Sequence, residues 1–334
     1  MNKKVSLKDI AQKLGVSTAL VSYVVNGKAK QARVGDAMAE RIRNTAIELN
    51  YLPNQVAKSL RSGRTHTIGL VVADISNPFF SALARIIEDE AAKHGYVVVF
   101  GSSDENAEKS AKVIEVFTNR QMDALIIAPA ANTEDQLQSL KHKGIPFVLV
   151  DRCPKELKAD AVEIDNETAA AEATEYLIQQ KSKRIAMLAY DSPLPHMQAR
   201  VSGYERALRR AGIQSRLKTI RFENLQDDID KALEELKHER VDGLFFATNT
   251  LATEGLKKMR KMDLYFSPEI VSFDQSDMFE MLDHPPVYVQ QPLAQMGKKA
   301  VELAIAKITN YNKENERVVF NTTLVDAFHS KIFH

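Results

Sequence analysis

Val5-Ser6-Leu7-Lys8-Asp9-Ile10-Ala11-Gln12-Lys13-Leu14-Gly15-Val16-Ser17-Thr18-Ala19-Leu20-Val21-Ser22-Tyr23-Val24-Val25-Asn26-Gly27 is the stretch that decides how the chain is organised. Ser6 and Asp9 stand at the spacing of a capping pair, and Leu7, Ile10, Ala11 and Leu14 then recur on one helical face. Gly15-Val16-Ser17 makes a tight turn. Ser17 can cap a second helix whose inner face is Val21, Val24 and Val25. The two apolar stripes pack together across the turn. That leaves Ser17, Thr18, Ala19, Ser22, Tyr23 and Asn26 facing outward, where a helix-turn-helix meets a major groove. A third helix, over 36–49, brings Met38, Ile42, Ala46 and Leu49 to close a small core.

Working outward, the charge is divided at the same place. The 334 residues hold 45 Lys+Arg and 44 Asp+Glu, a net of +1. Residues 1–64 hold 12 basic and 4 acidic side chains, and the remainder 33 and 40. A head at +8 on a body at −7 suits a head that meets phosphate and a body that stays off it. Apolar residues make up 44%, enough for well-formed cores, and the length predicts two or three domains. No run of 18 apolar residues appears, so no membrane span is expected. The start lacks the apolar centre of a signal peptide, which predicts a cytoplasmic protein. The single cysteine, Cys153, excludes an internal disulfide and a Cys-built metal site. It reads as a packed thiol. The eight histidines show no metal spacing, and no cofactor is expected.

After the third helix, Pro53 breaks the pattern, Asn54 can cap a helix of barely two turns, and Gly63 ends it. So short a helix orders only against a partner, here a second copy and DNA. At this point the chain resembles the LacI/GalR family of repressors. The resemblance rests on Asp9-Ile10-Ala11, Gly15-Val16-Ser17, Val21-Ser22, Val25-Asn26-Gly27, Leu49-Asn50-Tyr51-Leu52-Pro53-Asn54 and Ala57-x-x-Leu60. The segment Ser22–Gln31, with Arg33-Val34 after it, is most similar to the fructose-repressor branch. The resemblance implies that Thr18 and Ala19 lead base choice. It also implies that Leu60, with Asn54, Ala57 and Lys58 on the same hinge, wedges into a central minor-groove step of a pseudopalindromic double-stranded operator. Lys30, Arg33 and Lys58 are expected on phosphates, where contacts position rather than specify. Tyr23 stands where many members carry an arginine that reads guanine. Tyrosine cannot make that bidentate contact, so the operator should differ from the commonest family sequence.

From residue 67 short apolar runs alternate with amphipathic stretches: Ile68–Ala73, Tyr96–Phe100, Ala124–Ala128, Pro146–Val150, Arg184–Leu188, Gly243–Phe246 and Ile270–Phe273. The pattern predicts an α/β body of parallel sheets covered on both faces and divided into two lobes. Ligands of such folds sit past the carboxyl ends of the strands. Just past those ends come Asn77, Phe79 and Phe80, then Asp151 and Arg152, then Arg200, Asn249 and Asp274, with Gln290 near the return crossing. Carboxylates, guanidiniums and amides around an aromatic face are what a sugar ring requires. The body resembles the periplasmic sugar-binding fold, near its ribose-type members, which implies those nine residues and Phe222 as effector contacts. Leu194 replaces an arginine of purine-binding relatives, and Thr250 replaces an aspartate that usually follows Asn249.

The family pattern implies a DNA-binding domain over 1–50 and a hinge over 51–65. One lobe is then expected over 66–166 with 292–322, and the other over 167–291 with 323–334. It also implies a homodimer along the body. The expected function is a repressor whose operator affinity is set by a small carbohydrate between the lobes. The alternative is a regulator of the same fold controlled by a protein corepressor such as a phosphocarrier, with a vestigial crevice. A transport binding protein would need a signal peptide and no basic head. An enzyme is not expected, because no nucleophile–base pair, Gly-rich phosphate loop or metal cluster appears.

Overall fold

The computed structural model describes residues 5–52, 63–154, 156–262, 267–326 and 331–333. Contacts divide it into Met1–Thr65 and His66–His334. In the first unit α1 (Leu7–Leu14) opens on a capping box: Ser6 accepts from the Asp9 amide while Asp9 accepts from the Ser6 amide. Gly15 closes the helix with φ +66°, a left-handed cap that glycine adopts without penalty. Ser17 accepts from the Leu20 amide at 3.2 Å and starts α2 (Thr18–Val25). Ile10, Ala11, Val21 and Val24 are buried together, as the spacing predicts. The third helix, α3 (Asp36–Glu48), turns the expected face inward. Ala39, Ile42 and Thr45 are its buried residues, whereas Met38, Ala46 and Leu49 are only partly buried around them. Two small residues one position along let the short helices approach closely, and the larger side chains close the rim.

The second unit contains a six-stranded and a seven-stranded sheet. The first is built from β1 (Thr67–Val72), β2 (Val97–Ser102), β3 (Ala124–Ile127), β4 (Phe147–Val150), β5 (Asp160–Ile164) and β11 (Arg317–Phe320), in the order β11-β5-β4-β3-β1-β2. All its pairings are parallel. The second contains β6 (Ile185–Tyr190), β7 (Leu217–Ile220), β8 (Gly243–Phe246), β9 (Glu269–Phe273), β10 (Val287–Gln290), β12 (Thr323–Asp326) and β13 (Lys331–Phe333), in the order β13-β12-β10-β9-β8-β6-β7. Only β12 and β13 join it antiparallel. The chain passes from the first sheet to the second after β5, returns after β10, and crosses again after β11.

Both faces of the first sheet are apolar, which is why its strands read as unbroken apolar runs. Ile68, Leu70, Ile126 and Val148 face one core, with Leu83 and Ile87 of α4 (Pro78–Lys93) and Ala300 and Val301 of α11 (Leu293–Thr309). Val71, Leu125, Ile127 and Leu149 face the other, with Ile114 and Phe117 of α5 (Ala107–Asn119) and Leu137 and Leu140 of α6 (Glu134–His142). On the second sheet α7 (Asn166–Gln179) packs against α8 (Pro195–Ala211), and α9 (Leu225–His238) against α10 (Asn249–Met259). Asp151 follows β4 and Asp274 follows β9, and both sit in the left-handed region, at φ +69° and +67°. Aspartate tolerates that conformation better than most residues, and such outliers gather at binding sites.

Candidate functional site

In the head, Ser17, Thr18, Ala19, Tyr23 and Asn26 are exposed on one side of α2, and Ser22 is half-buried among them. Asn26 donates its amide to the Ser22 carbonyl at 2.7 Å and to its hydroxyl at 3.2 Å. Those two side chains hold each other, so Thr18, Ala19 and Tyr23 are the freer part of the face. The first turn of α2 carries no acid, which leaves its amide end open to a phosphate. Lys30 and Arg33 are exposed on the loop that follows. Asn54, Ala57, Lys58 and Leu60 lie outside the described residues.

In the body, the strand-end residues converge between the two sheets. Asn77 caps α4 by accepting from the Phe79 amide at 3.0 Å, and the same oxygen accepts from Asn249 Nδ2 at 3.3 Å. Its own amide lies 3.5 Å from Thr250 Oγ1. Asn77 thus ties the first sheet's lobe to the second, and Thr250 takes part in the tie. Arg200 is buried on α8, donating Nε to Asn166 Oδ1 at 2.8 Å and Nη1 to the Ala247 carbonyl at 2.7 Å. Its guanidinium carbon lies 3.5 Å from the centre of the Phe273 ring. Arg152 is also buried, paired with Glu105 at 2.6 Å and Asp151 at 3.2 Å, and sits 5.3 Å from the centre of the Phe80 ring.

These charges act on one another. Burial raises the Asp151 carboxyl above its ordinary range against the pull of Arg152 and Arg200. Burial pushes Asp274 up to about 6, opposed by Arg200 and by the amide that Gln291 donates to Oδ1 at 2.8 Å. Burial works to lower the Arg152 guanidinium, but Glu105 and Asp151 together leave it raised. His196, one helical turn before Arg200, is driven well below the usual imidazole range by burial and then by Arg152 and Arg200.

The expected residues do not all face one space. A cavity of about 420 Å³ is lined by Asn77, Phe80, Arg152 and Phe222, together with Glu105, Tyr190 and His196. Phe222, 52% exposed, sits 5.2 Å from Tyr190 and forms one wall. Phe79, Asp274 and Gln290 line a separate groove beside Pro78 and Pro292. Gln290 is exposed at the end of β10, and the next residue, Gln291, is buried and donates to Asp274. Successive residues of an extended segment point to opposite sides, so a slip of one position changes the face. Glu105, Tyr190, His196 and Gln291 were not among the expected contacts. Glu105 and Tyr190 stand at strand ends like the others, and His196 shares the face of Arg200 at i,i+4 spacing.

Residues 6–54 match the family described as bacterial regulatory proteins, lacI family, and residues 65–329 match the periplasmic binding proteins and sugar binding domain of the LacI family. Catabolite control protein A of Priestia megaterium is 31% identical, with 93% of each chain covered. The HTH-type transcriptional repressor CytR of Escherichia coli is 30% identical over 90% of this chain and 89% of the relative. The crystal structure of a LacI family transcriptional regulator from Enterococcus faecium with bound ribose is 28% identical and superposes with a TM-score of 0.68, over 80% of this chain and 97% of that one. The lac repressor dimer bound to operator and the anti-inducer ONPF has the same fold, with a TM-score of 0.82 over 97% of this chain and 98% of that one at 19% identity. Among the described residues no helix is long and apolar enough to cross a membrane. The chain belongs to the LacI family and is a DNA-binding transcriptional repressor with that family's sugar-binding body.

Proposed function

We propose that a small carbohydrate held between the two lobes sets the affinity of this repressor for a pseudopalindromic operator. The observation that carries the reading is the link across the lobes: Asn77 reaches Asn249 and Thr250 beside the buried charges of Arg152, Asp151 and Arg200. A ligand bonded to both sides changes the relative position of the lobes. The relative with bound ribose supports a sugar at such a crevice. The working unit is a homodimer in the cytoplasm. Its DNA-binding domain spans 1–50 and its hinge 51–65. One lobe takes 66–166 with 292–322, and the other 167–291 with 323–334. The exposed edge strand β2, with Val97 at 67% and Phe100 at 41% exposure, offers apolar surface to a second copy.

Ligand closes the lobes, the paired hinges separate, and the operator is released. By linkage, operator weakens ligand to the same degree. The test is a thermal-unfolding screen of the full chain against pentoses, hexoses and their phosphates, with Arg200→Ala beside it. Ligand at about a hundred times its dissociation constant adds roughly 2.7 kcal/mol, a shift of several degrees. Arg200→Ala is expected to bind operator but to lose the ligand response. A retained response removes the crevice assignment, and no shift with any sugar transfers control to a protein corepressor.

A further inference from the structure

The charge inventory of the crevice carries the choice between a free sugar and a sugar phosphate, two classes the fold accepts equally. Among the described residues lining the 420 Å³ cavity, Arg152 is the one Lys or Arg. Its guanidinium is already shared by Glu105 and Asp151 at 2.6 and 3.2 Å. Asp74 and Asp191 add two more carboxylates to the same lining. Arg200 lies outside that lining, has committed Nε and Nη1 to the protein, and shares its field with Asp274 and Asp151. A phosphate dianion entering here would have to displace Glu105 from Arg152 or be buried against the carboxylates. Neither route offers the uncommitted charged donors that phosphate recognition uses.

One residue of that lining carries a buried, unsatisfied polar atom. His196 is 7% exposed, in the first turn of α8, and its Nδ1 has no hydrogen-bond partner among the described residues. Buried polar atoms are rarely left so. Burial, and then Arg152 and Arg200 close by, keep the imidazole neutral, so it supplies no charge for an anion. A neutral imidazole nitrogen accepts or donates one hydrogen bond, the capacity of a hydroxyl group.

We propose that the effector is an uncharged polyhydroxy compound, with one hydroxyl bonded to His196 Nδ1, and that the crevice rejects its phosphate ester. This rests on the crevice being the effector site. The Asp74, Glu105 and Asp191 carboxylates take further hydroxyl protons, and Phe80, Tyr190 and Phe222 supply the aromatic walls.

The experiment is calorimetric titration of the full chain with matched pairs: ribose and ribose 5-phosphate, fructose and fructose 1-phosphate, glucose and glucose 6-phosphate. Uridine and adenosine serve as uncharged ligands of another class. The expected result is a free sugar that binds at least about a hundredfold more tightly than its phosphate. His196→Leu then weakens that sugar about tenfold or more, while His196→Asn, which keeps a polar atom near the Nδ1 position, loses less. Glu105→Gln, by freeing Arg152, narrows the gap between sugar and phosphate. A phosphate that binds as well as its sugar, with binding lost in Arg200→Ala, overturns the charge argument and leaves the crevice standing. A nucleoside as the tightest ligand overturns the polyhydroxy assignment. Equal affinities of His196→Leu and His196→Asn remove His196. Binding of a sugar unaffected by Phe222→Ala together with Tyr190→Ala, which remove two aromatic walls, overturns the crevice reading itself.

Discussion

Asp274 shows how a single side chain can oppose stability. Its folded pKa is raised to about 6, by burial first, with Arg200 and the Gln291 amide pulling the other way and Asp151 adding to the rise. An unfolded aspartate ionises near 3.9, so the folded chain binds a proton more readily than the unfolded one. The stabilising effect of that proton is therefore complete below about pH 4 and lost as the pH climbs through 6. Asp274→Asn is expected to raise the unfolding temperature near pH 7 by roughly 5–10 °C, the equivalent of about 3 kcal/mol. The same change should abolish the response to the effector. Differential scanning calorimetry across pH 4–7 checks both the gain and its disappearance at the acid end. An unchanged pH profile in the variant would show that Asp274 is not the group responsible. Residues of this kind were legible because they are chemically conspicuous at strand ends: Asp151, Arg152, Arg200 and Asp274 need no alignment to attract notice. Gln291 was not singled out beside Gln290 because the sequence does not say where β10 stops alternating. His196 was passed over because a lone histidine has many uses, and its meaning comes from two arginines brought near it by folding.

At the scale of elements, α7 and α8 meet at a point where only glycine fits. A Cβ on Gly203 would stand 2.1 Å from the Glu167 carbonyl oxygen and 3.0 Å from Ala170 Cβ and the Ala171 nitrogen. Two of those atoms are backbone and cannot turn aside. Gly203→Ala should therefore cost about 3 kcal/mol, the upper end for overpacking, measured as a lower midpoint in urea. Because α8 also carries His196 and Arg200, the displaced helix should weaken effector binding even where the protein still folds. A neutral substitution would mean that the two helices can slide apart freely. Most strands that sequence patterning revealed are buried on both faces, and the exposed edge strand β2 was legible as well because its run of valines is apolar. Among the ones it missed are ion-paired strands. β7, Leu217–Ile220, holds Lys218 between Glu235 and Glu239 at 2.9 and 3.0 Å, so it reads as polar surface. β5 opens with Asp160, an acid that is 2% exposed and faces Lys307 at 3.4 Å. Its partners lie about 150 residues away in the chain, too far for local patterning to see. Capping was the opposite case. Ser6, Asp9 and Ser17 act within three residues of themselves, and each does what its spacing dictates.

The whole molecule is divided electrically, with a head at +8 and a body at −7. Binding to DNA should then reside in the head and fall steeply with salt. A loss of about a thousandfold or more is expected between roughly 50 and 200 mM monovalent salt, the range for six or more phosphate contacts. A fragment beginning at residue 66, the start of the second compact unit, should not bind DNA at any of these concentrations. Fluorescence anisotropy on both proteins measures this, and retention of DNA by the fragment would contradict the division. The body carries a second division. Its two sheets follow one plan, with the first five strands ordered 2-1-3-4-5 and the next five 7-6-8-9-10. The fourth strand of each set ends in a left-handed aspartate, Asp151 or Asp274. The helix after the first strand of each begins with proline, Pro78 or Pro195. The two lobes are repeats of one plan, so something bound between them meets each structural position twice. The two sides differ where the repeats differ: Asn77 is the cap ahead of one proline and Leu194 stands ahead of the other.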